Sequence, residues 1–298
     1  MIGAIDIGSN AVRLLIASVE HYPRETLFKK AAFVRVPIRL GEDVFTDGAI
    51  TPEKCGRLCE AMQGFSHVMR SFGVERMRAC ATSAMREATN GAEIAAEIRQ
   101  RSGIGIEIIS GTEEAALIFS SGANELVEGG RSYILIDVGG GSTEVSVYSD
   151  GERAESRSFG LGTVRMLNEK VKDGEWDDFR KWLKKLGGRY DPAAIVGSGG
   201  NINKVAKLLN KKEQERVTYT EMKVLYDYLK TFSYEERIHL LKLDTYRADV
   251  IVPAMKIFLA AAKSAKVNEY IVPKRGLVDG VVRQLYAEYA AQRQQGDS

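Results

Sequence analysis

The sequence predicts a duplicated α/β architecture in two domains, and three observations carry that expectation. The segment Ile134-Leu-Ile-Asp137-Val-Gly-Gly-Gly-Ser-Thr-Glu144-Val-Ser-Val repeats the pattern of Ile2-Gly-Ala-Ile-Asp6-Ile-Gly-Ser-Asn-Ala-Val-Arg13-Leu-Leu. Each copy is an apolar strand with an Asp near its end, a turn of glycine and hydroxyl residues, and a second apolar run. The two Asp residues lie 137 − 6 = 131 positions apart, about the size of one small domain. Each copy also opens a triplet of strands that gives way to alternating helix and strand, the pattern of a mixed sheet packed with helices.

The elements follow in order. Apolar residues that alternate or run continuously predict strands over 2–8, 11–20 and 25–36. Thr51-Pro52-Glu53 then opens a helix, with a hydroxyl cap, Pro in the first turn and an early acid. It is expected to run to Ser71. A strand at 78–82, a helix at 91–100 behind Asn90, a strand at 106–110 and a helix from about Thr112 complete the first part. The second part repeats the triplet at 132–138, 143–149 and 152–159, with helical segments at 162–171 and 176–187. Ala193–Val196 is a short buried strand feeding Gly197-Ser-Gly-Gly200, and the helix beyond it carries Ile202, Val205, Ala206 and Leu209 on one face. A strand at 269–272 and a final helix from about Gly276 follow, with a polar tail from Gln292 expected to fray. The chain divides, on this reading, into residues 1–118 with a returning C-terminal helix at about 284–298, and residues 119–283. The helix from Thr112 and the loop at 128–131 form the expected boundary and hinge.

Composition sets limits. At 298 residues, two domains are expected, and 44% hydrophobic content suffices for ordinary cores. With 42 basic against 40 acidic residues, the surface is not built for nucleic acid, although a local basic cleft remains compatible. No apolar run approaches the ~20 residues of a membrane span, and the N-terminus enters a strand directly, so a cytoplasmic protein is expected. Cys55 and Cys59 have helical i,i+4 spacing, but no nearby His or Cys in the sequence completes a zinc site, and ordinary packing is the expected role.

Three glycine-rich turns are candidate phosphate cradles: Gly8-Ser9-Asn10, Gly139-Gly140-Gly141-Ser142-Thr143, and the turn containing Gly199 and Gly200. A single such turn needs only a left-handed backbone. Three of them with adjacent Ser, Thr or Asn, two following an aspartate, point instead to anion binding, and the third has the form of a helix N-terminus. Asp6, Asp137 and Glu144 are candidate metal residues. Asp6 and Asp137 sit in apolar strands, where an unpaired carboxylate is costly; either a turn cap, a nearby Arg or Mg²⁺ with phosphate oxygens would compensate. Ser110 and Glu113 have capping-box spacing. Glu114 is one residue on, about 100° round the helix, and its local sequence is that of a solvated first-turn acid with only a dipole benefit. Arg13, Arg86, Arg165 and Arg275 could each contact an anionic substrate or equally serve in a surface or ion-pair role. The three histidines have no partner pattern.

The ordered set Asp6-Ile-Gly-Ser-Asn, Thr82-Ser-Ala-Met-Arg86-Glu-Ala, Ser110-Gly-Thr-Glu-Glu114-Ala, Asp137-Val-Gly-Gly-Gly-Ser-Thr-Glu144, Gly197-Ser-Gly-Gly200 and Arg247-Ala-Asp-Val-Ile-Val-Pro resembles the exopolyphosphatase/guanosine-pentaphosphatase (Ppx/GppA) family from residue 2 to about 285. The Asp-x-Gly hairpins alone belong to the wider actin/hexokinase/Hsp70 superfamily. The resemblance implies that superfamily's duplicated ribonuclease H-like fold with an active site in an interdomain cleft. It implies Mg²⁺-dependent hydrolysis of terminal phosphate from inorganic polyphosphate or from pppGpp, and a homodimer is the default expectation. By position, it implies that Glu114 is the general base, Asp137 and Glu144 are metal-associated, Gly139–Thr143 with Ser9 and Asn10 bind phosphate, and Arg86 lies near the substrate phosphates. Two positions depart from the family pattern. Ala11 stands where Ser or Thr is common, and Gly276-Leu-Val278-Asp-Gly280 lacks a family arginine. Longer members continue into a helical HD-like domain. Two other functions fit the same turns: an ATP-dependent small-molecule kinase of this fold, and a (p)ppGpp-binding regulator with little turnover.

Overall fold

A computed structural model describes residues 1–22, 26–121, 130–212 and 215–296. The chain divides into two compact units, Met1–Ser121 with Gly276–Ser298, and Gly122–Arg275. Residues 122–129, which include the first two residues of the boundary loop expected at 128–131, lie outside the described residues.

The first unit is built on β1 (Ile2–Ile7), β2 (Val12–His21) and β3 (Thr26–Val36), then α1 (Leu40–Asp47), α2 (Pro52–Ser71), β4 (Arg76–Ala81), α3 (Ser83–Glu87), α4 (Gly91–Ser102), β5 (Ile106–Ile108) and α5 (Gly111–Ser120). Its sheet order is β3-β2-β1-β4-β5. The hairpin strands pair antiparallel, and β4 and β5 add in parallel. The second unit repeats this plan with β6 (Tyr133–Val138), β7 (Thr143–Ser149), β8 (Glu152–Phe159), α6 (Thr163–Leu167), α7 (Glu175–Tyr190), β9 (Ala194–Ser198), α8 (Gly200–Leu208), β10 (Val217–Thr218), α9 (Tyr219–Lys230), α10 (Tyr234–His239), α11 (Thr245–Ala248), α12 (Ile251–Ala265) and β11 (Glu269–Ile271). Its order, β10-β11-β9-β6-β7-β8, is the same five-strand arrangement with one short antiparallel strand added at the edge. The repeat extends to an irregularity: β2 shifts register between Ile16 and Ala17, and β7 between Val147 and Tyr148. Each shift starts ten residues past its hairpin Asp (16 − 6 and 147 − 137), so the same bulge bends both sheets. This is the duplicated ribonuclease H-like α/β fold of the actin-like ATPases.

The cores follow from these faces. β1 is buried along its whole length, as expected for a central strand covered on both sides. β8, at one edge, is charged and largely exposed, and β3, at an edge of the other sheet, is mostly half-buried with Lys29 and Lys30 exposed, which blunts edge-to-edge pairing. In the second unit, Ile134, Val145, Phe159, Phe179, Ile257 and Tyr270 belong to one buried cluster. The buried Tyr270 hydroxyl is satisfied by the Phe258 carbonyl at 3.1 Å.

Several boundaries differ from the sequence expectation. The α2 limits agree, with the Thr51 hydroxyl accepting from the Lys54 amide. α1 and α3 were not expected. α1 starts at Arg39 in the left-handed region (φ 61°) with no side-chain cap, so it carries no start signal, and α3 is only five residues long. Strand β5 is shorter than expected, and the helix expected at 162–171 is only α6. The capping box at Ser110 is half formed: Ser110 Oγ accepts from the Glu113 amide, while the Glu113 carboxylate pairs with Arg78 at 2.6 Å. The tail does not fray at Gln292. The last helix, α13 (Leu277–Gly296), continues through it. Arg76 accounts for this, donating to Gln292 Oε1 at 3.1 Å and stacking 4.7 Å from the Tyr289 ring centroid.

Gly280 lets α13 approach α5 closely: a Cβ there would lie 1.8 Å from the Leu117 carbonyl oxygen. Gly280→Ala is therefore expected to lower the unfolding free energy by about 3 kcal/mol, the scale of forced overpacking. Gly276→Ala, where a Cβ meets nothing within 4 Å, is the matched control. Denaturant titration of both variants checks this.

Candidate active site

The two hairpins share a skeleton but differ in the residue opposite the aspartate. Asp6 faces Arg13 across β1 and β2, and Asp137 faces Glu144 across β6 and β7. Asp6 is 5% exposed and forms an ion pair with Arg13. Of the alternatives open from the sequence, pairing with a nearby Arg is the one realised at Asp6. In the second hairpin an acid stands opposite an acid, with carboxylate oxygens within 4.8 Å of each other. Like charges directly opposite are destabilising in an antiparallel pair, and Glu144 is buried as well. Hydroxyls hold its Oε1: Ser142 Oγ donates at 2.6 Å and Ser158 Oγ at 3.0 Å. An oxygen-only set of this kind suits a hard cation such as Mg²⁺, which takes one or two carboxylates and completes its shell with water and phosphate.

The glycine turns are shaped by carbonyl contacts. The amides of Gly8 and Gly139 close their own hairpins, onto Ala11 O at 3.2 Å and Ser142 O at 2.9 Å. Those two N–H groups are therefore committed, a correction to reading the whole turn as phosphate donors. In the second unit the carbonyls of Gly139, Gly140 and Gly141 all turn toward α6. Gly139 O accepts from the Thr163 amide, Gly140 O from the Val164 and Arg165 amides, and Gly141 O from Arg165 Nε at 2.8 Å. In a planar trans peptide the following N–H points opposite to the carbonyl. The amides of Gly140, Gly141 and Ser142 thus face away from α6 together, a cluster of N–H groups of the kind that can take an anion. The first unit does the same with α1: Ser9 O accepts from the Gly41 amide at 2.8 Å and Asn10 O from Arg39 at 3.0 Å. The amides of Asn10 and Ala11 consequently point the other way, so the alanine that lacks a hydroxyl still presents its N–H.

The side chains of these turns serve mainly as struts. Thr143 is fully buried and donates to Leu161 O, and Ser9 Oγ bonds Ser83 Oγ of α3 at 2.8 Å. Sequence reasoning missed α1, α3 and α6 as supports. A signal was present: Leu40-Gly41 and Leu161-Gly162 each follow the third strand of a triplet. Gly162 is required there, because a Cβ would lie 2.2 Å from Gly140 O. In the third turn, Gly199 has φ 100°, and a Cβ on it would lie 3.1 Å from Asp137 Oδ1. Gly200 leaves room for Arg247, which donates to Asn201 Oδ1 at 3.1 Å. These two glycines bring Asp137 and Arg247 beside the α8 N-terminus.

Glu114, in the first turn of α5, is 8% exposed. The solvated reading of its local sequence does not hold. Arg86 of α3 donates to Ile109 O at 2.8 Å and places its guanidinium 4.0 Å from Glu114, which offsets part of the cost of burying that charge. Arg275 lies partly exposed after β11.

Comparison with known proteins places this geometry. The model of the Ppx/GppA phosphatase family matches residues 25–288. Exopolyphosphatase 2 of Mycobacterium tuberculosis is 34% identical over 171 residues, 55% of this chain and 53% of that protein. The guanosine-5'-triphosphate,3'-diphosphate pyrophosphatase of Vibrio cholerae is 25% identical over 295 residues, 95% of this chain and 58% of that protein. The chain thus spans little more than half the length of these curated relatives. The crystal structure of the Aquifex aeolicus Ppx/GppA family member superposes with a TM-score of 0.78 at 26% identity, covering 97% of this chain and 98% of that one. With the family model spanning most of its length, the chain belongs to the Ppx/GppA phosphatase family.

Proposed function

We propose that this protein hydrolyses terminal phosphoanhydride bonds of inorganic polyphosphate or pppGpp, releasing orthophosphate with the help of Mg²⁺. One observation carries the reading most: two facing carboxylates, Asp137 and Glu144, sit at the strand ends beside the aligned amides of Gly140, Gly141 and Ser142. The names of the two curated relatives support the substrate class.

Each group has a part in this reading. The Gly140–Ser142 amides, and those of Asn10 and Ala11, donate to phosphoryl oxygens on which negative charge develops; donors fixed in advance cost no reorganisation. Asp137 and Glu144 hold the cation, and Ser142 and Ser158 keep Glu144 in position. Bound by these carboxylates, Mg²⁺ would supply charge neutralisation at the phosphoryl group. Glu114 takes the proton from the attacking water or orients it, with Arg86 beside it to stabilise the ionised form. Asp6, already paired with Arg13, holds the first hairpin together rather than binding the metal.

The protein with Glu114→Gln is expected to fold as the wild type and to lose roughly 10²–10⁴-fold in kcat, the usual contribution of a general base. Phosphate release measured on long polyphosphate, short polyphosphate and pppGpp tests it, and a wild-type rate on all three would remove Glu114 from the role. Chelation of divalent ions is expected to abolish phosphate release, with Mg²⁺ or Mn²⁺ restoring it. Undiminished turnover in chelator would contradict the metal-assisted reading. ATP-dependent product formation without release from polyphosphate would favour a kinase instead.

A further inference from the structure

The sequence offered Cys55 and Cys59 as a helical pair with no completing ligand. Folding supplies one. Glu97, on α4, reaches across to α2 and meets both thiols: Cys55 Sγ lies 3.5 Å from Oε2 and Cys59 Sγ 3.8 Å from Oε1. One donor atom from each of the three residues lies within 4.8 Å of the others. We propose that Cys55, Cys59 and Glu97 form a zinc site that links α2 to α4, with water in the fourth position.

The geometry suits this ion. With Zn–S near 2.3 Å and Zn–O near 2.0–2.2 Å, a tetrahedral site separates sulfur from carboxylate oxygen by about 3.5 Å, close to the spacing already present. Two thiolates favour a borderline-soft metal over Mg²⁺, so the site does not compete for the ion proposed at Asp137 and Glu144. Arg101, one turn on from Glu97, donates to its Oε1 at 2.9 Å. It can orient the carboxylate and offset the net charge of one zinc, two thiolates and one carboxylate, which is −1 before Arg101 is counted. That is the kind of outer-shell support that metal-binding carboxylates use.

Without metal, burial pushes the Cys55 thiol up to about 12 and raises that of Cys59. Both sulfurs then keep their protons and donate them to Glu97. Zinc binding forms two Zn–S bonds and releases two protons to solvent, with no change of oxidation state. Access is available, because Glu97 is exposed and Cys55 is half-buried at the surface of its unit, while Cys59 lies inside. The consequence is structural: a metal clip between two packed helices that bury Leu58 and Met62 on α2 and Ile94 and Ile98 on α4.

The test uses full-length, metal-stripped protein in excess Mg²⁺, titrated first with Co²⁺ and then with Zn²⁺. The site is expected to give a thiolate-to-cobalt charge-transfer band that saturates at one equivalent and is displaced by Zn²⁺. One equivalent of Zn²⁺ is expected to raise the melting temperature and to block thiol labelling of Cys55 in the native state. The band should disappear in Cys55→Ser and in Glu97→Gln. Cys55 is only half-buried and Glu97 exposed, so both variants are expected to fold, as circular dichroism would check. If Cys55→Ser does not fold, labelling of the wild-type protein with and without Zn²⁺ decides. Absence of the charge-transfer band, or a band retained in Cys55→Ser, or Cys55 labelling unchanged by Zn²⁺, overturns the proposal. Phosphate release plays no part in these readouts, so the zinc site and the hydrolase reading stand or fall separately.

Discussion

The structure turns on how a carboxylate is kept at the end of a buried strand. An ionised Asp in that position is costly unless a charge or hydrogen bonds compensate it. The duplicated hairpin provides two answers to the same problem. In the first copy the cross-strand neighbour is Arg13, and Asp6 is compensated within the chain. In the second the neighbour is Glu144, so the hairpin concentrates negative charge. The same strand pairing therefore gives one closed ion pair and one pair of acids, and in the function proposed above that difference separates a supporting hairpin from a cation-binding one.

The turns beside these aspartates depend on elements that carry no obvious chemistry. α6 draws three successive carbonyls to one side, and the start of α1 draws two. Because the peptide unit is rigid, every carbonyl fixed in this way also aims the next amide. The glycines permit the close approach, most clearly Gly162 against Gly140. The hydroxyls of Ser142 and Thr143 look from their type like phosphate ligands. In the structure they are bonded to Glu144 and Leu161. In the function proposed above, anion recognition is left to the backbone, and the side chains fix the shape of that backbone.

Much of the fold was legible because the two hairpins announce themselves through alternation, an Asp and a glycine turn, and because α2 carries a hydroxyl cap and Pro at its start. The short helices α1 and α3 were not legible. α1 follows a left-handed arginine without a side-chain cap, and α3 is too short to show an apolar period, whereas α6 falls inside the longer helix expected at 162–171. At the candidate site, the sequence by itself places Asp137, Glu144 and the glycine run in one hairpin, as the strand pairing has them. Whether Asp6 paired with Arg13 could not, because a seven-residue separation fixes proximity only once the register is known. Glu114 looked solvated because first-turn exposure depends on tertiary packing. The meeting of Glu97 with Cys55 and Cys59 spans some forty residues, beyond any local pattern.

The central claim is that the two hairpins are electrostatically unequal and that only the second holds a divalent cation through oxygen ligands. The most direct test is Mn²⁺ binding by the full chain, with Asp6→Asn and Asp137→Asn compared in parallel and Zn²⁺ absent. The account predicts that Asp137→Asn weakens Mn²⁺ binding by roughly 10–100-fold or more, on the scale of disrupted metal sites, while Asp6→Asn leaves it essentially unchanged. Loss of Mn²⁺ binding on changing Asp6, with Asp137→Asn retaining wild-type affinity, would contradict it.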